Sequence, residues 1–125
     1  MRKLDFKAAF KIYAMLAKQF EDYKDFQTAS YFHKRCLDIS VEHKYIEGEA
    51  KSYLGLGNAE EQVMNKEQAM IHLETALEKA SEDPQRLEQL IKNISTKIVK
   101  VYTSVANEYQ EVGNFGEALQ YFEKC

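Results

Sequence analysis

The residues of this 125-residue chain best suited to hold a metal ion are three histidines and two cysteines. His33 and Cys36 are three positions apart, so on a helix they would place two ligands about one turn apart. A structural zinc site is built from four converging ligands, and no second Cys/His pair stands near these two in the sequence. The pattern therefore favours a small packing cysteine and a partly exposed histidine, and we expect no bound metal.

Residues 55–57, Gly-Leu-Gly, superficially resemble a phosphate-binding loop. Such a loop follows a strand and opens a helix, whereas these glycines fall inside a helical pattern, at a site for close packing. No Ser-His-Asp, Cys-His-Asn or HExxH signature can be placed. The adjacent acids Glu60 and Glu61 would point in different directions on a helix. We therefore expect a protein that is not an enzyme, with no catalytic residues and no cofactor.

The charge balance and the short apolar runs exclude several classes of partner. Seventeen Lys and Arg stand against twenty Asp and Glu, giving a net charge of −3, so nothing indicates nucleic-acid binding. The longest apolar run, Ile12 to Ala17, is far below the ~20 residues of a membrane span, and Met1-Arg2-Lys3 is too brief to begin a signal peptide. Two widely separated cysteines favour a reducing compartment. We expect a cytoplasmic protein, with the cilium or the cytoskeleton as alternative locations.

The elements that position these residues are predicted to be helices throughout. Only five Gly and one Pro interrupt the chain, and apolar residues recur at steps of three and four along nearly all of it. Asp83 as N-cap and Pro84 at the first helical position predict where the longest helix begins, while Asp25 and Asn65 are plausible N-terminal residues of two others. The fold class is all-α, with helices predicted at 5–22, 26–43, 47–63, 66–80, 84–112 and 115–125.

Three segments of the chain repeat one pattern of aromatic, aliphatic and small residues. The first helix of each segment carries a small residue, at Ala17, Gly57 and Ala106. The second helix carries another, at Ala29, Ala69 and Ala118. Small side chains at these positions would let the two helices of a pair approach closely, because packed cores tolerate little extra volume. Positions 10, 50 and 99 are equivalent, which gives repeats of about 10–49, 50–98 and 99–125, the last one truncated.

This pattern resembles the tetratricopeptide repeat (TPR) family, whose signature is W-x₂-L-G-x₂-Y followed by A-x₃-F. The closest match is Tyr53-x₂-Leu56-Gly57, with Ala69-x₃-Leu73 after it. Departures are His33 at a large apolar position and Glu60 in place of an aromatic residue. The resemblance implies a TPR-like α-solenoid of antiparallel helix pairs, forming a right-handed superhelix as a single domain over 1–125. Repeats of 40 and 49 residues are similar to the extended repeats of spindle-orientation adaptors, kinesin light chains and ciliary scaffolds, and we expect a fragment of a longer array.

The resemblance also implies where a partner binds. In TPR arrays the first helices line a concave groove, and residue-by-residue transfer of its second and ninth repeat positions gives the partner-binding candidates Lys11, Lys18, Lys51, Asn58, Lys100 and Asn107. Acidic and amide residues at 21–22, 61–62 and 110–111 would form a rim. Asparagine side chains can pair with a bound peptide backbone. The bland alternative is that these polar residues are merely solvated helix faces.

The expected function is a protein–protein interaction scaffold that binds a partner peptide or helix through its concave face. One alternative is a structural subunit of a large ciliary or microtubule-associated assembly. Another is the regulatory repeat domain of an enzyme whose catalytic part lies outside this chain. In all three cases we expect a protein or peptide partner, no nucleic acid and no membrane insertion, with assembly into a larger complex as a further expectation.

Overall fold

The computed structural model describes residues 6–63 and 65–111, with side chains as far as Glu108. Its elements are five α-helices: α1 Phe6–Asp22, α2 Phe26–Glu42, α3 Ile46–Gln62, α4 Lys66–Ala80 and α5 Glu88–Glu111. These ranges contain no strand, which confirms the all-α prediction for this part of the chain. Among the same residues, no helix is both long and apolar enough to cross a membrane. The helix predicted at 115–125, with Ala118, lies outside the described residues.

Short turns separate the first helices, and local chemistry fixes where they begin and end. Asp25 caps α2 as predicted, since its Oδ1 accepts a hydrogen bond of 3.2 Å from the backbone N–H of Thr28. Lys24 and Lys44 adopt left-handed backbone conformations, with φ of 64° and 53°, at the two turns that lead into α2 and α3. Asn65 precedes α4, but its side chain donates to Glu60 Oε2 at 3.1 Å and does not cap the helix.

The predicted start of the longest helix, at residue 84, is wrong. The chain makes a separate turn after Asp83, whose carbonyl oxygen accepts a hydrogen bond of 3.0 Å from the N–H of Leu87. α5 begins only at Glu88. Leu87 is buried, 5% exposed, against the end of α4. The buried Leu87 side chain holds the turn after Asp83 against α4. The Asp-Pro signal alone predicted an uninterrupted helix here.

The helices pack in chain order, and consecutive helices run antiparallel. α1 lies on α2, α2 on α3, α3 on α4 and α4 on α5, and α3 also touches α5. The direction follows from the contacts: Phe6 stacks on His43 while Phe20 stacks on Phe32, so the start of α1 meets the end of α2. Near the other end of the described chain, Lys66 at the start of α4 donates to Ser104 of α5 at 2.7 Å and pairs with Glu108.

The described small residues of the repeat pattern are buried. Ala17, Ala29, Ala69 and Ala106 are 0% exposed. Gly57 is buried too, and a Cβ added there would lie 2.8 Å from two atoms of the Leu73 side chain. The prediction that these positions are buried is thus confirmed for the described residues, and at Gly57 the neighbour is the facing helix α4.

The two departures from the repeat signature have structural partners. His33 of α2 packs against Gly55 of α3, where any Cβ would collide with the imidazole ring. Its Nε2 lies 3.7 Å from Glu21 Oε1 on α1. Glu60, which replaces an aromatic residue, places Oε1 3.1 Å from Nδ1 of His72 on α4. Each histidine therefore lies beside a glutamate of a neighbouring helix, without hydrogen-bond geometry at His33 Nε2 or His72 Nδ1.

Candidate partner-binding cleft

A cleft of about 580 Å³ opens between α1, α3 and α5. α1, α3 and α5 each supply side chains to it, and the beginning of α2 closes one end with Phe26. The polar residues that line it are Lys18, Glu21 and Asp22 of α1, Lys24 of the following turn, Asn58 and Gln62 of α3, and Asn93 and Lys97 of α5. Leu54 adds an apolar contact. A surface built from three first helices is suited to a ligand that lies across them.

Of the six predicted binding residues, the structure brings two together in this cleft. Lys18 and Asn58, which come from different repeats, both line it. Lys11, Lys100 and Asn107 are exposed on their helices and are not among the lining residues. Lys51 is also outside the cleft, and its Nζ lies 2.8 Å from Glu47 Oε2 on the same helix. The predicted lysine row at 11, 51 and 100 therefore does not converge on the cleft.

Asn58 carries a buried polar atom that lacks a hydrogen-bond partner within the described part of the chain. Its Oδ1 is buried and has no hydrogen-bond donor within reach among the described residues, although the residue as a whole is partly exposed. Leaving a buried acceptor unpaired costs about 1–3 kcal/mol. Because this oxygen is closed to solvent, a ligand reaches it only after the Asn58 side chain turns toward the cleft. An N–H of the ligand would then supply the donor that the oxygen lacks.

Part of the predicted acidic rim, Glu21, Asp22 and Gln62, lines the same cleft as Lys18. Glu21 Oε1 also lies 3.7 Å from Nε2 of His33, while Asp22 is exposed at the end of α1. Glu61 belongs to the predicted rim but forms an ion pair with Lys97 of α5. Glu60 and Glu61 thus point to different helices, as their adjacency predicted. Gln110 and Glu111 have no described side chains.

Sequence reasoning missed the contribution of α5 to this cleft. Asn93 and Lys97 lie four positions apart, so they share a helix face, and both line the cleft. When the repeats are aligned at positions 10, 50 and 99, these two residues fall among the extra residues that make the second repeat 49 residues long. That surplus was the available signal, because an extra stretch of amphipathic helix must lie against some part of the array.

The histidine and cysteine side chains do not form a common site. Cys36 is 1% exposed, and its thiol donates to the carbonyl oxygen of Phe10 at 3.6 Å. Burial raises its pKa to about 11. His33 faces α1 and α3 instead. Within residues 6–63 and 65–108, no three His, Cys, Asp or Glu side chains are grouped so that they could hold a metal ion.

Comparisons with known proteins give a likeness of fold. No protein-family model matches the chain, and no curated protein matches it. Solved structures that resemble it include the crystal structure of BtubC (BKLC) from P. vanneervenii, with a TM-score of 0.62 and 24% sequence identity. The match covers 100% of this chain and 50% of that one, so the chain spans half the length of BtubC.

Proposed function

We propose that this chain is a TPR-like α-solenoid, a right-handed superhelix of antiparallel helix pairs, that serves as a protein interaction scaffold. Support comes from helices that pack in chain order with consecutive helices antiparallel. It also comes from the burial of the small residues that the repeat register selected, Ala17, Gly57 and Ala106. In such an array each pair covers its neighbour's apolar face, so the surface between first helices stays preformed and available to a partner.

The observation that carries the binding role is the cleft to which α1, α3 and α5 all contribute. Because Asn58 Oδ1 has no donor among the described residues, turning this side chain toward the cleft breaks no hydrogen bond of that oxygen, and a bound peptide can then donate a backbone N–H to it. Lys18, Glu21 and Asp22 near the end of α1, with Lys24 just after it, offer both signs of charge in one part of the cleft. The partner is therefore a polar peptide segment or helix, held by shape and hydrogen bonding with no cofactor and no chemical step.

A peptide-display library panned against the 125-residue chain supplies ligands to test this proposal. Selected peptides are then titrated by fluorescence anisotropy against the wild type and Asn58→Ala. We expect Asn58→Ala to raise the Kd about tenfold, the value of one good hydrogen bond. Asn107→Ala is the matched control, since this asparagine is exposed and outside the cleft. Equal effects of the two variants, or none from either, would contradict the proposal.

The sequence-derived lysine row is tested separately. Replacing Lys11, Lys51 and Lys100 with Ala together removes three positive charges that lie outside the cleft. If these lysines steer the same peptides, affinity falls, and it falls more at low salt because salt screens exposed charges. If the affinity of the triple variant is unchanged at low salt, the lysine row does not contribute, and the cleft residues Lys18 and Asn58 are left to recognise the peptide.

A second candidate function is a structural subunit of a larger assembly. An additional cleft of about 480 Å³, more apolar than the first, lies between α2 and the end of α3. It is lined by Phe26 and Ala59 and by two large exposed side chains, Tyr31 at 56% and Val63 at 57% exposure. An assembly partner bound in this second cleft would lose affinity with Tyr31→Ser and keep it with Asn58→Ala. The peptide proposed for the first cleft would show the reverse.

A further inference from the structure

The outward face of α1 exposes a stripe whose centre is two large apolar side chains, Ile12 and Met15. Ala8, Ile12, Met15 and Gln19 recur at steps of four, three and four, so they share one helix face. Ile12 is 58% exposed and Met15 is 64% exposed. The opposite face of α1 carries Ala17, which is fully buried. α1 is therefore apolar on two sides, of which the described residues cover one.

The equivalent stripe of α3 is completely covered. Counting 40 positions on gives four small residues, all of them buried: Gly48, Ser52, Gly55 and Ala59. α2 lies over them, because a Cβ added at Gly55 would collide with His33 and one added at Gly48 would collide with Ser40. α2 therefore covers the face of α3 that is equivalent to the open face of α1.

The middle of the equivalent stripe of α5 is covered too. Counting 49 positions on from α3 gives Lys97, Val101, Ser104 and Glu108, of which Val101 is buried and Glu108 is exposed. Val101 is 0% exposed and packs with Met70 and Leu73 of α4, while Ser104 accepts a hydrogen bond from Lys66 at the start of α4. Twice in this chain, then, this face of a first helix receives an antiparallel helix.

Positive charge borders the open stripe along one edge. Lys11 and Lys18 each precede a stripe residue by one position, and both are exposed. Among the described residues, neither has a carboxylate within 4.0 Å, whereas Lys51 on α3 is paired with Glu47. A covering helix that carried acidic side chains along the matching edge would supply the missing partners.

We propose that the stripe formed by Ala8, Ile12, Met15 and Gln19 is a docking surface for an amphipathic α-helix of a partner protein. The helix lies antiparallel to α1, as α2 lies on α3 and α4 on α5. It buries an apolar row against Ile12 and Met15 and directs Glu or Asp side chains to Lys11 and Lys18. The apolar centre of this surface is distinct from the cleft, because neither Ile12 nor Met15 lines the cleft, while Lys18 borders both.

The test uses the 125-residue chain and a labelled probe peptide of 17 residues, the length of α1. The probe has a leucine row at helical spacing with Glu along one edge, and a matched peptide carries Lys in place of Glu. We expect the Glu peptide to bind the wild type about tenfold more tightly than the Lys peptide, and Lys11→Glu to remove that preference. Met15→Glu should weaken binding of the Glu peptide about tenfold or more, because it places a charge where a large apolar side chain is buried.

Val41→Glu is the matched control, since Val41 of α2 is 54% exposed and lies elsewhere; it should bind the probe as the wild type does. Far-ultraviolet circular dichroism and thermal unfolding show that each variant stays folded. The proposal would be overturned if Met15→Glu did not weaken binding of the Glu peptide. It would also be overturned if Lys11→Glu still bound the Glu peptide more tightly than the Lys peptide. So would sedimentation velocity showing a dimer that Met15→Glu dissociates, because a second copy would then occupy the stripe. Asn58→Ala tests the cleft alone and should not alter probe binding, so the two proposals fail separately.

Discussion

At Gly57, the space between α3 and α4 is smaller than a methyl group. A Cβ at this position would lie 2.8 Å from Cγ and Cδ2 of Leu73 and 3.3 Å from the carbonyl oxygen of Ala69. Leu73 is itself fully buried, so it has little room to move. The residue type at 57 is therefore fixed by the distance between two helices, although glycine is intrinsically unfavourable inside a helix.

Gly57→Ala tests this directly. Overpacking a tight core costs about 1–3 kcal/mol, and the gain in helix propensity of about 1 kcal/mol offsets only part of it. We expect a lower free energy of unfolding, measured by urea denaturation. In a Leu73→Ala background the same substitution should become neutral or stabilising, because the obstructing side chain is absent. A Gly57→Ala variant more stable than the wild type would show that the two helices are not in close contact here.

Cys36 is predicted to be chemically silent while the protein is folded. Burial raises the pKa of its thiol to about 11 from an ordinary value of 9.0, and the thiolate is the reactive form. In a Cys125→Ser background, a thiol-specific chromogenic reagent at pH 8 should label Cys36 only after denaturant is added. The folded state retains this proton between pH 9.0 and about 11 while the unfolded chain loses it. The thiol's contribution to stability is therefore complete below pH 9.0 and is lost as the pH rises to about 11.

At the scale of the element, Asp25 determines where α2 begins. Its Oδ1 accepts from the Thr28 N–H, and its Oδ2 accepts from the Thr28 hydroxyl at 2.7 Å. Asp25→Ala should lower the free energy of unfolding by about 1 kcal/mol. Asp38→Ala is the control: Asp38 is exposed in the C-terminal half of α2, where a negative charge opposes the helix dipole, so its removal should be neutral or slightly stabilising. Equal losses in both variants would show that charge, not capping, is being measured.

The helices themselves could be predicted because their signals are local. Apolar spacing and the scarcity of Gly and Pro placed all five described helices, and the Asp25 cap is confirmed. The start of α5 was missed because it depends on burial of Leu87 beneath α4, a contact between elements that local residue preferences do not encode. The placement of His33 beside Glu21 and of His72 beside Glu60 was missed for the same reason, since each contact lies between two different helices.

The candidate cleft was predictable only in part. Lys18 and Asn58 follow from equivalent positions in two repeats, so the repeat register alone selected them. Asn93 and Lys97 occupy the cleft because α5 extends beyond the repeat length, and the path of an extra helical stretch is set by packing. Lys11, Lys51, Lys100 and Asn107 remain predictions from the register, and the described geometry does not bring them to the same place.

At the scale of the whole molecule, the helices differ in how completely they are covered. α3 contacts α2, α4 and α5, and seven of its residues are buried: Gly48, Ala50, Ser52, Gly55, Leu56, Gly57 and Ala59. α1 packs mainly on α2, and only Ala17 is buried. In a linear array, each helix derives its stability from its neighbours. Stability should therefore be greatest at α3 and decline toward α1.

Native-state hydrogen exchange measures this gradient helix by helix. We expect amides in the middle of α3 to exchange on the order of tenfold or more slowly than those in the middle of α1, because opening α1 exposes far less buried surface. The Leu73→Ala substitution removes a fully buried side chain from the contact of α4 with α3 and α5. It should speed exchange in α3, α4 and α5 while leaving α1 nearly unchanged. Uniform acceleration in all the helices would instead mean that the chain opens as one cooperative unit, with no independence between neighbouring pairs.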